Sequence, residues 1–411
     1  MKRNISKALA ILMTLALIMS LAAVSAFAVN GGTTKFEKEF AIPDGANMPN
    51  VEFEYAIEPG TAVPVGPDNE IAIYEGPTAT VDGVDYPFIA NAVFPSDDNS
   101  TNNHDNKDGT VDPDDSTKKI YIDNATIDLT GIEFTAAGVY RYVINEKTAP
   151  DITEVPGVTY EANTERYLDV FVFPGDHDNN PDTPDQLMVT EYSMTKNPSN
   201  FTKYYDNNQS KWVYTYTDPD ARVKSSGYKN KLDTVDLEFA KTISGNQADT
   251  SKKFTFTLSI TGANPNQEYL LDITGDNVII ADVEGVGSHV TNGKITTDAN
   301  GAYTGTFSLT AGDKVKVLDL PVGYSYTLSE DAEDYTSTGG TAAGFTDGTV
   351  GQDGTISASA INADISTGFN NARTGIIPTG VILTVAPFMI GLLLFGAVMM
   401  FMISRRRRAT Y

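Results

Sequence analysis

The chain has 411 residues, 41% of them hydrophobic, with 54 acidic against 29 basic side chains, a net charge of −25 and no cysteine. The missing cysteines exclude disulfide frameworks, cysteine-based zinc sites, iron–sulfur clusters, cysteine nucleophiles and an internal thioester. The length suggests two or three domains, and the acidity argues against nucleic acid, whose phosphates need clustered Lys and Arg, while suiting a solvated extracellular protein.

Residues 1–28 read as a secretory signal peptide. Lys2, Arg3 and Lys7 supply the positive start, an apolar stretch begins at Ala8, and Ala26-Phe27-Ala28 offers a small-residue cleavage site. Cleavage is expected after Ala28. A retained membrane anchor is the alternative, opposed by the placement of the cleavage site and by the lack of a stop-transfer pattern after it.

The long middle of the chain reads as all-β. Alternating runs such as Val51 to Ile57, Tyr167 to Phe173 and Phe254 to Ile260 are separated by Gly, Pro, Asn and Asp clusters, with no stretch of helical period. The 20 Tyr and 19 Phe fit strand cores. Spacing and composition point to tandem immunoglobulin-like β-sandwiches, over residues 29–232 and 233–373, with the boundary at about Leu232 to Val235.

The two halves repeat one another. Phe36-Glu37-Lys38 recurs as Phe239-Ala240-Lys241, and fifteen residues beyond each Lys stand Phe53 and Phe256. Tyr140-x-Tyr142-x-x-x-Glu146 recurs as Tyr324-x-Tyr326-x-x-x-Glu330, and Gly227-Tyr228-Lys229-Asn230 as Gly368-Phe369-Asn370-Asn371. Each half thus carries a Lys in its first strand, a Glu in a middle strand and an Asn in its last.

Val381 to Ile403 is a run of 23 uncharged, mostly apolar residues. As a helix at about 1.5 Å per residue it reaches roughly 34 Å, enough to cross a bilayer. Arg405 to Arg408 follow it, which places the tail inside and the rest of the chain outside by the positive-inside rule. Loss of both end segments would remove seven of the 29 basic residues and leave 22 against 54, a balance of −32.

Residues two apart on a strand share a face, so the aromatic that precedes each Lys and each Asn carries that group into the core. An amine, a carboxyl and a carboxamide buried together are costly unless paired. Burial pushes the Lys toward the neutral, nucleophilic amine and the Glu toward the protonated acid. The Glu can then polarise the Asn carboxamide and relay protons while the amine attacks and ammonia leaves. The product is a Lys–Asn isopeptide bond, formed once and without a cofactor, so the chain is not a turnover enzyme. The alternative is that these are ordinary surface Lys, Glu and Asn, a reading weakened by two copies in the same order. Asn370 has the opposite strand parity to Asn371 and reads as the decoy.

Several motifs resemble a known family. Ile376-Ile377-Pro378-Thr379-Gly380, standing before the apolar run and the Arg cluster, resembles the cell-wall sorting signal of Gram-positive surface proteins, in the Ile-Pro-Thr-Gly spelling of streptococcal-type pilins. Residues 374–411 would then be a sorting segment with a transmembrane helix. Val139-Tyr140-Arg141-Tyr142 running into Glu146-Lys147-Thr148-Ala149-Pro150, and Leu320-Pro321-Val322-Gly323-Tyr324-Ser325-Tyr326 to Glu330, resemble the Glu-bearing region of collagen-adhesin B-type domains. With the Lys and Asn strands, the chain is similar along nearly its whole length to two-domain streptococcal-type backbone pilins.

The resemblance implies that Lys38, Glu146 and Asn230 form one bond site and Lys241, Glu330 and Asn371 the other. It also implies that a sortase recognises Ile377, Pro378, Thr379 and Gly380, attacks the Thr379 carbonyl and passes the acyl group to an amine of a neighbouring subunit. Lys224 is the implied pilus-linking lysine, with Lys196, Lys203 and Lys211 as competitors and a plain surface role as the alternative. The expected product is a covalent homopolymer on the outer surface of a Gram-positive bacterium, attached basally to peptidoglycan. The rival function is a wall-anchored monomeric adhesin or basal pilin that binds a host ligand.

Two polar loops carry calcium-like spacing, Asp176-x-Asp178-x-Asn180-x-Asp182 and His104-x-Asn106-x-Asp108-Gly109 with Asp112 and Asp115. Pro181 and Leu187 stand where a calcium loop needs Gly and Glu, and His104 is a poor first ligand. Both read as solvated hairpin insertions. The three histidines, His104, His177 and His289, are scattered and suggest no metal site.

Overall fold

The computed structural model describes residues 28–67, 69–96, 109–175, 186–198, 200–206, 211–216, 225–283, 288–291, 293–375 and 389–402. Alternation of apolar and polar residues in the middle of the chain produces strands throughout. Among the described residues of 28–375, the helical element is a 3-10 turn at Thr341–Ala343.

The principal strands of the first half are β1 (Thr33–Pro43), β2 (Tyr55–Pro59), β3 (Lys118–Asp128), β4 (Gly138–Glu146), β5 (Glu165–Gly175), β6 (Gln186–Thr195) and β7 (Gly227–Leu232). They form two sheets, one with the order β3-β1-β7 and the other with β6-β5-β4-β2. Between them lies a single core that includes Phe36, Phe40, Phe53, Tyr142, Val170 and Tyr228. The second half contributes β8 (Thr234–Ser244), β9 (Phe254–Thr261), β10 (Tyr303–Leu309), β11 (Lys314–Pro321), β12 (Ser325–Glu330) and β13 (Ile365–Ala372). Here β11-β8-β13 faces β10-β9-β12 across a second core built on Phe239, Phe256, Phe307 and Tyr324. The fold is all-β, two tandem immunoglobulin-like sandwiches.

In both sandwiches the first and last strands are adjacent and parallel. Tyr228 pairs with Lys38 and Asn230 with Phe40, while Phe369 pairs with Lys241 and Asn371 with Ile243. The register is therefore the same in the two copies. A glycine stands three residues before each Asn, at the start of β7 and inside β13. A Cβ on Gly227 would overlap the Glu37 carbonyl oxygen, and one on Gly368 would overlap that of Ala240, so these positions need glycine for close backbone approach.

Only Asp233 separates β7 from β8. Its carboxylate takes Lys118 Nζ at 2.7 Å and Thr159 Oγ1 at 2.9 Å. Its backbone joins both halves, with its N–H on the Gly157 carbonyl and its carbonyl accepting the Val322 N–H.

One expectation needed adjustment. The run Val51 to Ile57 changes partners at Glu54: Val51–Phe53 pairs with Ala92–Phe94, and β2 pairs with β4. Alternation continues through the break, so sequence pattern could not register the switch between sheets. The sheet of β4 and β5 is also covered on its outer face. There Arg141 makes a bidentate, fully buried pair with Asp169 at 2.7 and 2.9 Å, and Phe171 packs on Phe201. The expected membrane span lies partly outside the described residues. Residues 389–402 are helical with an exposed apolar surface, and among the described residues no helix is long and apolar enough to cross a membrane.

Replacing Gly227 or Gly368 with Ala should push the last strand off the first. Thermal or urea unfolding should show a loss on the order of 3 kcal/mol, whereas Gly66→Ala, where a Cβ has open space and the backbone is not left-handed, should lose far less.

Candidate functional site

Lys38 lies in the middle of β1 on the face that points into the core, because Phe36 and Phe40 on the same face are buried there. Its side chain has no exposure, and its ammonium sits 4.2 Å from the Phe53 ring centre and 5.8 Å from that of Tyr228. Glu146 ends β4 in the opposing sheet and reaches across to it, with Oε1 accepting a short hydrogen bond from Lys38 Nζ. Asn230, on β7 beside β1, donates from Nδ2 to the same Oε1 at 3.1 Å. Its Oδ1 accepts the backbone N–H of Glu161 at 3.0 Å. The first sandwich thus brings together the three expected residues from three strands and two sheets.

The second sandwich repeats the arrangement. Lys241 Nζ stands 2.5 Å from Glu330 Oε1, both side chains fully buried, and the ammonium lies 4.4 Å from the Phe254 ring centre. Glu330 Oε2 accepts from Ser337 Oγ at 3.2 Å. Asn371 is fully buried, and neither polar atom of its amide finds a hydrogen-bond partner among the described residues. Asn370 faces outward, accepting from Thr242 and donating to Ser244, as its parity predicts.

The geometry corrects one detail of the repeat. Phe53 and Phe254 lie under the two amines, and Tyr55 and Phe256 stand opposite Glu146 and Glu330. The structural counterpart of Phe53 is therefore Phe254, two residues before the match suggested by equal spacing.

Burial dominates the electrostatics. It lowers the pKa of Lys38 to about 8, against the opposing pull of Glu146, and it lowers that of Lys241 to about 8 against Glu330. It raises both carboxyls above their ordinary range, although each facing Lys pulls it back down. Each site therefore holds an amine that gives up its proton far more readily than a free lysine, a carboxyl able to exchange a proton, and a carboxamide on the adjacent strand. Such a set is suited to amide exchange at the Asn side chain.

Two participants near the first site escaped the sequence reading. One is the Glu161 N–H, a backbone donor with no sequence signature. The other is Arg166, fully buried on β5, whose guanidinium lies 4.4 Å from the Tyr228 ring centre and bonds Glu161 Oε2 at 2.6 Å. Nothing in the sequence marks it, because its burial is visible only in the fold.

Lys224 and Ile377, Pro378, Thr379 and Gly380 lie outside the described residues, as do residues 1–27, 97–108 and 176–185. Of the competing lysines, Lys196 is exposed and pairs with Glu161 at 3.0 Å. Lys203 and Lys211 lie on the hairpin Phe201–Asp206 and Lys211–Tyr216. Asp112 pairs with Lys229 at 2.6 Å, and among the described residues no group of three or more His, Cys, Asp or Glu is arranged to hold a metal ion.

Residues 85–233 match the profile of the Spy0128-like isopeptide containing domain, a span that includes Glu146 and Asn230. Residues 235–364, which include Lys241 and Glu330, match a profile described only as a domain of unknown function. A pilin of Streptococcus pyogenes serotype M1 is 27% identical over 287 residues, covering 67% of this chain and 70% of that pilin. Two solved structures of the major pilin from Streptococcus pyogenes are 21% identical and cover 84% of this chain and 100% of theirs, with TM-scores of 0.50 and 0.49. The first of these supports the shared fold. The isopeptide-domain match and the pilin relative support a streptococcal-type pilin, a structural subunit of a pilus.

Proposed function

We propose that the chain is the backbone subunit of a covalently polymerised pilus, and that each sandwich seals itself with one isopeptide bond, Lys38 to Asn230 and Lys241 to Asn371. The observation that carries this reading is the pair of buried Lys–Glu–Asn clusters, set in the same register between the first and last strands of both sandwiches.

In the first site, Glu146 takes a proton from Lys38, and the neutral amine adds to Cγ of Asn230. Glu146 returns that proton to the departing nitrogen, the Cγ–Nδ2 bond breaks, ammonia leaves, and Glu146 takes up the second proton that the attacking nitrogen sheds to become the amide N–H. One N–C bond replaces another, with no oxidant and no cofactor. Glu146 Oε1 already touches both nitrogens between which the proton moves. Glu330 has the same role between Lys241 and Asn371. Each bond closes a loop of roughly 190 or 130 residues, which the chain-entropy relation for cross-links values at about 5 kcal/mol apiece.

Assembly follows the sorting motif. In this reading the chain is exported through residues 1–28 and held in the membrane by residues 381–403. A sortase opens the Thr379–Gly380 bond and transfers the Thr379 acyl group to the Lys224 amine of the next subunit. Peptidoglycan receives the base of the polymer.

Mass spectrometry of the mature ectodomain tests the chemistry. Two bonds predict a deficit of about 34 Da, two ammonia losses. Glu146→Ala and Glu330→Ala should each abolish one of them, and an unmodified wild-type mass would refute the mechanism. In refolding chains the rate of ammonia loss should rise with pH toward about 8 and then level off, since the amine pKa values lie near there and only the neutral amine attacks. A rate that falls over this range would contradict the assigned nucleophile. Wall digests should yield peptides joining Thr379 to Lys224; linkage to Lys196, Lys203 or Lys211 would reassign the acceptor, and Thr379 found only on peptidoglycan would mark a singly displayed protein.

A further inference from the structure

The first site contains a donor that the bond-forming triad leaves out. The Asn230 carboxamide has one orientation, because a backbone N–H can only donate, and the atom facing the Glu161 N–H at 3.0 Å must therefore be Oδ1. The opposite end, Nδ2, faces Glu146 Oε1 at 3.1 Å. Glu146 is thus on the leaving-nitrogen side, and the carbonyl oxygen is served by a different group. When Lys38 adds to Cγ, the negative charge develops on Oδ1, where the Glu161 N–H already points.

That N–H is held in place by a dense set of contacts. Glu161 Oε2 accepts from Arg166 Nη2 at 2.6 Å and from the Lys229 N–H at 3.2 Å. Arg166 also donates to the carbonyls of Asn163 at 2.7 Å and Gly227 at 3.0 Å, and to Ser225 Oγ at 2.9 Å. One buried guanidinium therefore ties the segment bearing the donor to the strand bearing the Asn230 acceptor.

We propose that the Glu161 backbone N–H is the oxyanion donor for isopeptide formation at Asn230, and that Arg166 is the residue that positions it. The inference rests on the bond-forming reading of this site given above. Preorganised donors aimed at developing charge act strongly in a water-excluded site, and Lys38, Glu146 and Asn230 are all buried here. The second site differs: Asn371 Oδ1 has no hydrogen-bond donor among the described residues.

Two substitutions at one position isolate the N–H. Glu161→Gln keeps the donor and an oxygen for Arg166 and the Lys229 N–H, and Glu161→Pro removes both. Full-length chains made by cell-free synthesis are denatured at once, refolded by dilution and quenched in acid at intervals. The Lys38–Asn230 linked peptide is then quantified, with the Lys241–Asn371 peptide in the same digests as the internal reference. Glu161→Pro should reach the final yield of Glu161→Gln about 100-fold more slowly, with the reference peptide unchanged. Equal rates would overturn the proposal. So would a site 1 yield that stays low in Glu161→Pro at any time, which marks lost structure instead of lost charge stabilisation. An amide-to-ester replacement between Tyr160 and Glu161 deletes the N–H alone and must give the same slowing; wild-type speed would overturn the proposal. A wild-type chain without the Lys38–Asn230 peptide would instead refute the bond itself.

Discussion

Each sandwich is organised around an amine and a carboxyl placed in a core that offers them almost no other polar company. A buried charge pair repays its desolvation only with excellent geometry and satisfied hydrogen bonds. The first half contains such a pair: Arg141 and Asp169 meet through two parallel hydrogen bonds. The Lys–Glu pairs are built differently. Glu146 leaves Oε2 without a partner, and the polar atoms of Asn371 are unpartnered among the described residues. Arg141 lies on the same strand as Glu146, five residues before it. The under-satisfied arrangement at the Lys sites is poor stabilisation and good preparation for reaction, since burial brings the amine pKa down to about 8.

The strands that carry the reacting groups also determine the mechanical outcome. A pull on parallel, adjacent first and last strands loads their hydrogen-bonded ladder in shear. A covalent link between them takes the load out of the ladder. In the first sandwich the path would run from Lys38 into Asn230 and leave through Leu232 and Asp233, with β8 beginning at the next residue. Lys118 grips this exit, bonding both the Leu232 carbonyl and the Asp233 carboxylate. The joint between the sandwiches is therefore short and tethered to both, in keeping with a subunit that transmits force along a fibre.

Much of this was legible because strand parity is a strong constraint. An aromatic two residues from a Lys or Asn predicts which way both point, and the same logic separated Asn371 from Asn370. The internal repeat supplied Glu146 and Glu330, which parity alone would not have selected. What escaped was information that side-chain pattern does not encode. The switch of Val51 to Ile57 between sheets preserves alternation, so no residue marks it. The register under the amines, Phe53 with Phe254, depends on where each strand starts, and equal spacing from the Lys pointed two residues too far. The Glu161 N–H is backbone, and Arg166 becomes informative only when its burial is seen.

The separation of the reacting groups makes the chemistry depend on completed folding. Lys38 and Asn230 are brought together by pairing the two ends of a sandwich, and Glu146 arrives from the opposite sheet. In an unfolded chain the amine keeps its ordinary pKa near 10.4 and is almost wholly protonated at neutral pH, so it is a poor nucleophile as well as distant. Closing the core supplies proximity, the shifted pKa and the proton carrier in one event. The proposed bond would thus be a consequence of correct packing, formed too late to trap a wrong pairing of strands. A disulfide would form between any two cysteines that met in an oxidising medium. A Lys–Asn link of the proposed kind would form only where the finished core creates the reagent, and it needs no cysteine, of which this chain has none.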